Sequence, residues 1–457
     1  MIVSAGLQDL ITTSILRLLA ALLLCLAAVA PSKSHAQVQT DPEHVSYVFR
    51  TGDTLFSLAT RYFRRSSDYL VVQRLNHIAD PHRIPPGKAL RIPVYLLKYR
   101  PSQAKLSAFQ GNVTIAVGGR NLTPVRGLDV GEDSSLATAE RSFLTLQLED
   151  GSRVSLPSNS HVRIARLRHI LLTDSIDYEI AVEKGRMRSK ISPLDKKADR
   201  YRVRTPVAVS AVRGTDYRTR IDEASGAAFT ETTEGEVLVA PGDRLTNAGA
   251  TSVPTGMGAA ATIAGALLKA QLLPPPEFLE PSKTQSEPEL QFHVASGVPV
   301  AGYRIVVASD AGFVDLVAEG QGQAAMLSLP SVPNGRYFAK VTAIAADGFE
   351  GMPAIYAFKR QLGTLGGSAD TGDFGYRFKW FGEGEGKRFY RLQILKDSKN
   401  SVPIIDELGL SQDSITLSDL ADGEYYWRVG VIQLSSDPEE PEAIEKWTDF
   451  EKLTVAN

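Results

Sequence analysis

Cysteine is almost missing from this chain. Among 457 residues there is one, Cys25, and it lies inside an apolar run near the N-terminus. A single cysteine excludes an intramolecular disulfide and a multi-thiolate zinc site. Histidine is also sparse: His35, His44, His77, His82, His161, His169 and His293 are all there are. They form neither His-Glu-x-x-His nor His-x-His, so the usual zinc-peptidase pattern is absent. His77 and His82 flank a loop and read as surface or groove-rim residues. No Gly-x-Ser-x-Gly elbow and no phosphate-binding glycine loop occurs. An excess of one charge is lacking too, because 50 Lys and Arg stand against 52 Asp and Glu. The net charge of -2 gives no basis for general nucleic-acid affinity. A carboxylate pair for glycoside cleavage is set by space rather than by spacing. The sequence singles none out, and the expectation is a non-catalytic protein with no cofactor and no metal site.

Long apolar runs are scarce as well. One spans Ile15 to Ala30 and ends at Pro31, and Ser34-His35-Ala36 then gives a small-x-small pattern. The run is short for a membrane span. Residues 1–36 are expected to be a signal peptide cleaved near Gln37, with an uncleaved anchor as the alternative. Leu24 precedes Cys25 where a lipidation site wants a small residue, so a lipoprotein is not expected. Met257 to Leu273 is the next most apolar stretch, but it is Gly/Ala-rich and interrupted by Lys269. No integral membrane span is expected after cleavage, and the location is expected to be periplasmic or secreted.

Residues 45–95 carry the most specific pattern. A short alternating strand, Tyr47-Val48-Phe49, runs into Gly52-Asp53-Thr54. Apolar residues of helical period follow at Leu55, Leu58, Ala59 and Tyr62, and again at Leu70, Val71 and Leu75. Asp53 and Thr54 suit a helix N-cap, Ser66 to Asp68 a second one, and Asn76 a helix C-terminus. A Pro/Gly loop leads to a closing strand, Leu90-Arg91-Ile92-Pro93. This β-α-α-β order, with Gly52-Asp53-Thr54-Leu55, Asn76, Pro81 and Gly87, closely resembles a LysM module. The resemblance implies binding of N-acetylglucosamine polymers such as peptidoglycan in a shallow groove between two loops. Carried onto this chain, the groove residues are Gly52, Asp53, Thr54 and Leu55, with Asp80, Pro81, Ile84 and Pro85 opposite, Ile84 forming an apolar floor. Arg50, Arg61, Arg64, Arg65, Arg74, Lys88, Arg91, Lys98 and Arg100 make the segment basic, a solvated face or a surface for an anionic envelope polymer.

Residues 104–243 read as β throughout, in short apolar runs broken by Gly, Asp, Asn and Ser. Gly followed one residue later by an apolar residue recurs at Gly111-x-Val113, Gly185-x-Met187 and Gly235-x-Val237, as a tight turn before a strand requires. Together with Thr205-Pro206 and Arg213-Gly214-Thr215-Asp216, these residues resemble a FecR domain. That implies an all-β, solenoid-like envelope unit. The apolar run opens already at Ile15, which leaves no room ahead of it for a sigma-factor-binding part, so the signalling role is not carried over. Arg213 to Asp216 is read first as a structural turn and second as a binding edge.

Residues 244–288 are rich in Gly, Ala and Pro and are expected to be a semi-stiff linker, with a short Ala-rich helix over 258–273. Beyond it lies an internal repeat. Tyr303-Arg304-Ile305 recurs as Tyr390-Arg391-Leu392, and the segment Val332 to Val341 recurs as Leu420 to Val429. The hydrophobic-x-x-Gly-x-x-aromatic pattern resembles a late strand of an immunoglobulin-like or fibronectin type III sandwich. Two β-sandwiches are expected, at 289–361 and 370–456, with Tyr426 but not Phe338 able to make a tyrosine corner. The acidic loop at Asp437 to Glu442 reads as a solvated hairpin.

The chain is thus expected to be mainly β and multidomain: a small βααβ module, an all-β solenoid-like domain and two tandem sandwiches. The expected function is an exported envelope protein that docks on peptidoglycan and presents its other domains to an envelope protein partner. A periplasmic sensor acting through the FecR-like domain is the alternative, and a cell-wall hydrolase comes third.

Overall fold

The computed structural model describes residues 43–455, apart from 244, 246–248, 280–283, 288, 373–374, 385, 419 and 435–442. The expected signal segment and the acidic loop at 437–442 lie outside the described residues. Among the described residues no helix is long and apolar enough to cross a membrane.

The N-terminal module runs β1 (His44–Val48), α1 (Leu55–Tyr62), α2 (Tyr69–Leu75) and β2 (Ala89–Pro93). The strands pair antiparallel, with Tyr47 opposite Leu90. Thr54 caps α1 reciprocally: the Ser57 amide donates to Thr54 Oγ1 at 2.9 Å, and the Thr54 amide donates to Ser57 Oγ at 3.0 Å. Two orphan donors of the helix start are satisfied at once. The second expected cap is corrected. Ser66–Asp68 form a 3-10 turn that feeds α2, and no side chain caps that helix. Leu55, Leu58, Ala59 and Val72 pack on Val45, Leu90 and Ile92 in one core.

That core is not sealed within the module. Ile170 and Leu172 of the middle domain belong to it. The chain leaves through β3 (Tyr99–Pro101), which pairs with the middle-domain strand Ser160–Ile170. The Arg168 guanidinium lies 4.3 Å from the Tyr99 ring centroid, a cation–π contact across the junction.

The middle domain is two sheets of nine and ten strands. The chain passes from one sheet to the other mostly two strands at a time, and the order within each sheet broadly follows the chain. This progression is the expected solenoid-like architecture. Inward residues such as Leu146, Ile164, Tyr201, Val203 and Val237 fill the space between the sheets. The recurring glycines sit at the tightest turns. Gly235 has φ +81°, and a Cβ there would fall 2.7 Å from the Gly214 carbonyl oxygen, so both backbone freedom and close approach demand glycine.

The expected linker is a correction. Thr251–Pro254 extends the ten-stranded sheet, and the hairpin Met257–Ala261 with Leu267–Gln271 extends the nine-stranded one. No Ala-rich helix forms over 258–273. Helix propensity is a weak prior, and tertiary context overrides it here. Ala259 and Ala261 point into the core, while Ala260 packs with Phe229, Leu272 and Phe349. Small side chains permit that approach: a Cβ on Gly258 would lie 2.5 Å from the Phe349 ring.

Each C-terminal repeat is a sandwich of a three-stranded and a five-stranded sheet. The repeated motifs occupy matching places. Gly302–Ala308 pairs with Gly335–Ile344, and Arg388–Lys396 pairs with Gly423–Leu434. The tyrosine corner is corrected by one residue. Tyr337 Oη donates to the Pro333 carbonyl at 3.0 Å, and Tyr425 Oη donates to the Ala421 carbonyl at 2.6 Å. Both copies therefore hold the bond, and Tyr426 is not the residue that makes it. Strand alternation turns Tyr337 and Tyr425 into the cores and Phe338 and Tyr426 away from them.

Candidate functional site

The first loop of the N-terminal module is rigid without being covered. Asp53 accepts a hydrogen bond from Tyr47 Oη at 2.7 Å and another from the Arg50 amide at 2.8 Å. Burial, and then the Asp53 carboxylate, raise the Tyr47 phenol to about 12, so it stays protonated and donating. Thr54 is consumed by its cap. Gly52 is exposed with φ +90°, and nothing lies within 4 Å of where a Cβ would project. The loop therefore presents backbone rather than side chains, in a conformation fixed beforehand.

The opposite loop is built the same way. Asp80 Oδ1 accepts from the His82 amide at 2.9 Å, and Asp80 forms an ion pair with Arg83 at 3.6 Å. Pro85 is exposed, Pro81 is half-buried, and Ile84 is buried at 8% exposure beneath them. The two loops are tied together through Phe49, whose amide donates to the Lys88 carbonyl at 2.9 Å and whose carbonyl accepts from Gly87 at 2.8 Å. Leu55 and Ile84 meet in the common core. Leu55 is 1% exposed, so it supports the groove from below and cannot touch a sugar directly.

Asn76 anchors the far end of this second loop. Its Nδ2 donates to the Val72 and Arg91 carbonyls, each at 2.8 Å, and its Oδ1 accepts from the Arg91 amide at 2.7 Å. One side chain thus joins the end of α2 to β2.

Phe56 was not among the residues singled out from the sequence. It is 61% exposed at the start of α1, directly after the first loop, with Tyr69 set edge-on at 6.1 Å. The signal was present in the helical period: Leu55, Leu58 and Ala59 face inward, which turns Phe56 out. An exposed aromatic offers an apolar face to a sugar ring.

Three of the nine basic residues of the module are fastened to other elements. Arg64 Nε donates to the Leu97 carbonyl, and Lys98 Nζ donates to the Thr60 and Arg61 carbonyls at the end of α1. Arg100 pairs with Glu149 at 3.2 Å. These contacts fasten helix and exit strand, while Arg50, Arg61, Arg65, Arg74, Lys88 and Arg91 lie exposed on the module's surface. Arg213 to Asp216 is likewise a structural turn. Thr215 Oγ1 donates to the Glu236 carbonyl at 3.0 Å, and the Asp216 carboxylate accepts from Arg188 at 2.6 and 2.9 Å. Among the described residues no group of three or more His, Cys, Asp or Glu is placed to hold a metal ion.

Comparison with known proteins accords with this geometry. The LysM domain family model matches residues 47–93, which include all eight candidate groove residues. The FecR protein family model matches residues 134–238. The chain therefore carries a LysM domain and a FecR domain. No curated protein matches it. Among solved structures, a candidate anti-sigma factor from Parabacteroides distasonis is 15% identical, with a TM-score of 0.25 over 30% of this chain. The chain spans 59% of the length of that structure. A two-domain fibronectin type III segment of chicken tenascin is 14% identical, with a TM-score of 0.18 over 39% of this chain and 99% of its own.

Proposed function

We propose that this chain is a non-catalytic, exported envelope protein that docks on peptidoglycan through its LysM domain and presents its FecR domain and sandwiches to an envelope protein partner. One observation carries the reading. The LysM match falls on a module whose two groove loops are exposed, internally braced and joined through Phe49. Braced backbone loses little freedom when a ligand binds. A shallow groove buries few groups, so a single module binds weakly.

A sensing role draws support from a separate observation. The LysM core includes Ile170 and Leu172 of the middle domain, so a strain imposed on the glycan-bound module reaches the FecR domain through packed side chains.

The shared core also dictates the test, since the module cut at Arg100 would lose part of its interior. The full chain is incubated with purified peptidoglycan and titrated with chitotetraose by NMR. Retention on the polymer and shifts at 50–56 and 80–87 are expected. Pull-down no better than for a Gly52→Glu variant, with no sugar-induced shifts, would remove the docking claim.

A further inference from the structure

A groove of about 1030 Å3 opens on the outer face of the ten-stranded sheet. Its floor is formed where Arg200–Arg204, Ala208–Val212 and Glu236–Pro241 lie side by side. Tyr201 and Val203 point into the core, so alternation turns Arg200, Arg202 and Arg204 outward in a row. Beside them runs an apolar strip that ends in Leu238, 42% exposed. The groove reaches Glu43 and His44 of the LysM module at one end.

The arginines are positioned before any ligand arrives. Arg202 contacts Asp177 at 2.7 Å, Arg204 contacts Glu179 at 3.1 Å, and Arg166 from a nearby strand contacts Glu179 at 2.6 Å. Asp177 and Glu179 are buried beside the row, on the neighbouring strand, opposite Arg200 and Arg202. Arg166, Arg200, Arg202 and Arg204 together outnumber those two carboxylates by two positive charges. Glu43, arriving from the other domain, offsets one: it accepts from Arg166 Nη1 at 2.9 Å and from Arg202 Nη1. Arg200 Nη2 donates to the His44 carbonyl, while its buried Nη1 stays 3.9 Å from Glu43 and makes no hydrogen bond. At the rim, Arg213 donates to the Lys196 carbonyl and faces no carboxylate among the described residues. Three other acids line the groove: Asp199 accepts from the Ile176 and Lys196 amides, Glu236 accepts from Ser252, and Asp243 lies beside Arg204, which donates to its carbonyl.

We infer that this groove is a second ligand site, for a carboxylate-bearing peptide, and that Glu43 stands in its carboxylate subsite in the free protein. The Glu43 side chain is 42% exposed, so an incoming carboxylate can displace it from solvent. Burial alone would raise its pKa, but Arg202 and Arg166 hold it down at about 2, which shows how the cluster favours a carboxylate. The apolar strip beside the arginines suits the aliphatic side chains of a peptide. If the LysM domain holds the glycan, the peptides that branch from it are presented within reach of the groove, and the choice of probe rests on that reading.

The test uses the full chain and an N-acetylated stem pentapeptide, Ala-D-Glu-Lys-D-Ala-D-Ala, with free carboxylates or with both amidated. NMR shifts at 200–213 and 236–245 are expected for the free acid alone. Glu43→Gln frees the subsite and should tighten binding by about tenfold, while Arg200→Gln should weaken it by about tenfold, as loss of one charged hydrogen bond implies. Equal binding of the amidated peptide, or an affinity unmoved by both variants, would overturn the inference. Chitotetraose titrated into the same samples reports on the LysM groove independently. Loss of sugar binding with peptide binding retained sinks the docking reading and leaves the second site standing.

Discussion

Asn76→Ala isolates the contribution of a single side chain to the LysM domain. It deletes three hydrogen bonds, two donated to the Val72 and Arg91 carbonyls and one accepted from the Arg91 amide. Each intramolecular bond is worth about 0.5–1.5 kcal/mol net. Asn76 is half-buried, so water partly replaces the lost partners, and a total near 2 kcal/mol follows at the low end of that range. That corresponds to about a thirtyfold rise in the opening equilibrium of the module. Amide hydrogen exchange at β1 and β2 measures it directly, with the FecR core strands as an internal reference. Asn76→Asp sharpens the argument. It keeps the acceptor for the Arg91 amide but sets a carboxylate against two carbonyls, so it should cost at least as much as alanine. Loss of protection below about twofold in the alanine variant, or a benign aspartate, would refute the assignment of these bonds.

Further outcomes follow from the same geometry. Tyr337→Phe and Tyr425→Phe should each lower sandwich stability by about 1 kcal/mol in chemical denaturation, whereas Tyr426→Phe should be near neutral. Gly235→Ala puts a Cβ against the Gly214 carbonyl at φ +81° and should cost about 1–3 kcal/mol, read as a lower melting temperature of the FecR domain. Lys340 sits over the Phe313 ring, and burial, then the Arg188 charge, lower its pKa to about 6. Between about 6 and the ordinary lysine value the unfolded chain holds a proton that the native state has shed. Stability should rise with pH across that window, and Lys340→Met should flatten the slope. Glu43 acts in the opposite range. Its stabilising contribution is present above 4.5 and lost as pH falls towards about 2, so proteolysis near 97–103 should accelerate on acidification, and Glu43→Gln should reduce that dependence, the rest coming from Glu149, whose carboxylate is held below its ordinary range by Arg100 and the Gln103 amide.

Local chemistry was legible from the sequence where the causes are local. The Thr54 cap, the Gly235 turn and the alternation of the FecR strands depend on neighbours a few residues away, and each took the form its residues imply. What escaped depends on distant partners. The alanines at 259–261 form a strand because Phe229 and Phe349 press on them from other elements, and nothing in an Ala-rich run announces that. The corner tyrosines were misplaced by one residue because two adjacent aromatics satisfy the same motif, and only the strand register decides which turns inward. In the groove, Leu55 was counted as a contact although the helical period that makes it apolar also buries it. The arginine row at 200–204 reads as ordinary surface charge until Glu43 and Arg166 are brought beside it by the fold.

The junction between the FecR domain and the first sandwich shows why these domains do not behave as independent beads. Glu350 is buried and bridges Arg186 at 2.8 Å and Arg218 at 3.6 Å, while Arg218 also holds the buried Glu231 at 3.1 Å. Arg218 Nη2 further donates to the Glu350 and Gly351 carbonyls. Buried ion pairs add little net stability, because desolvation opposes the Coulomb gain. Removing one partner is costly, since it strands a charge. The network therefore penalises misdocked arrangements more than it strengthens the docked one. Apolar contact supplies the attraction, with Phe229 set edge-on to Phe349 at 5.1 Å. The same division of labour recurs at the other end of the domain, where Ile170 and Leu172 join the LysM core while Glu43 and its arginines fix the register. A FecR domain packed at both ends in this way joins the LysM module to the first sandwich without a free hinge between them, the mechanical condition that the proposed sensing role would require.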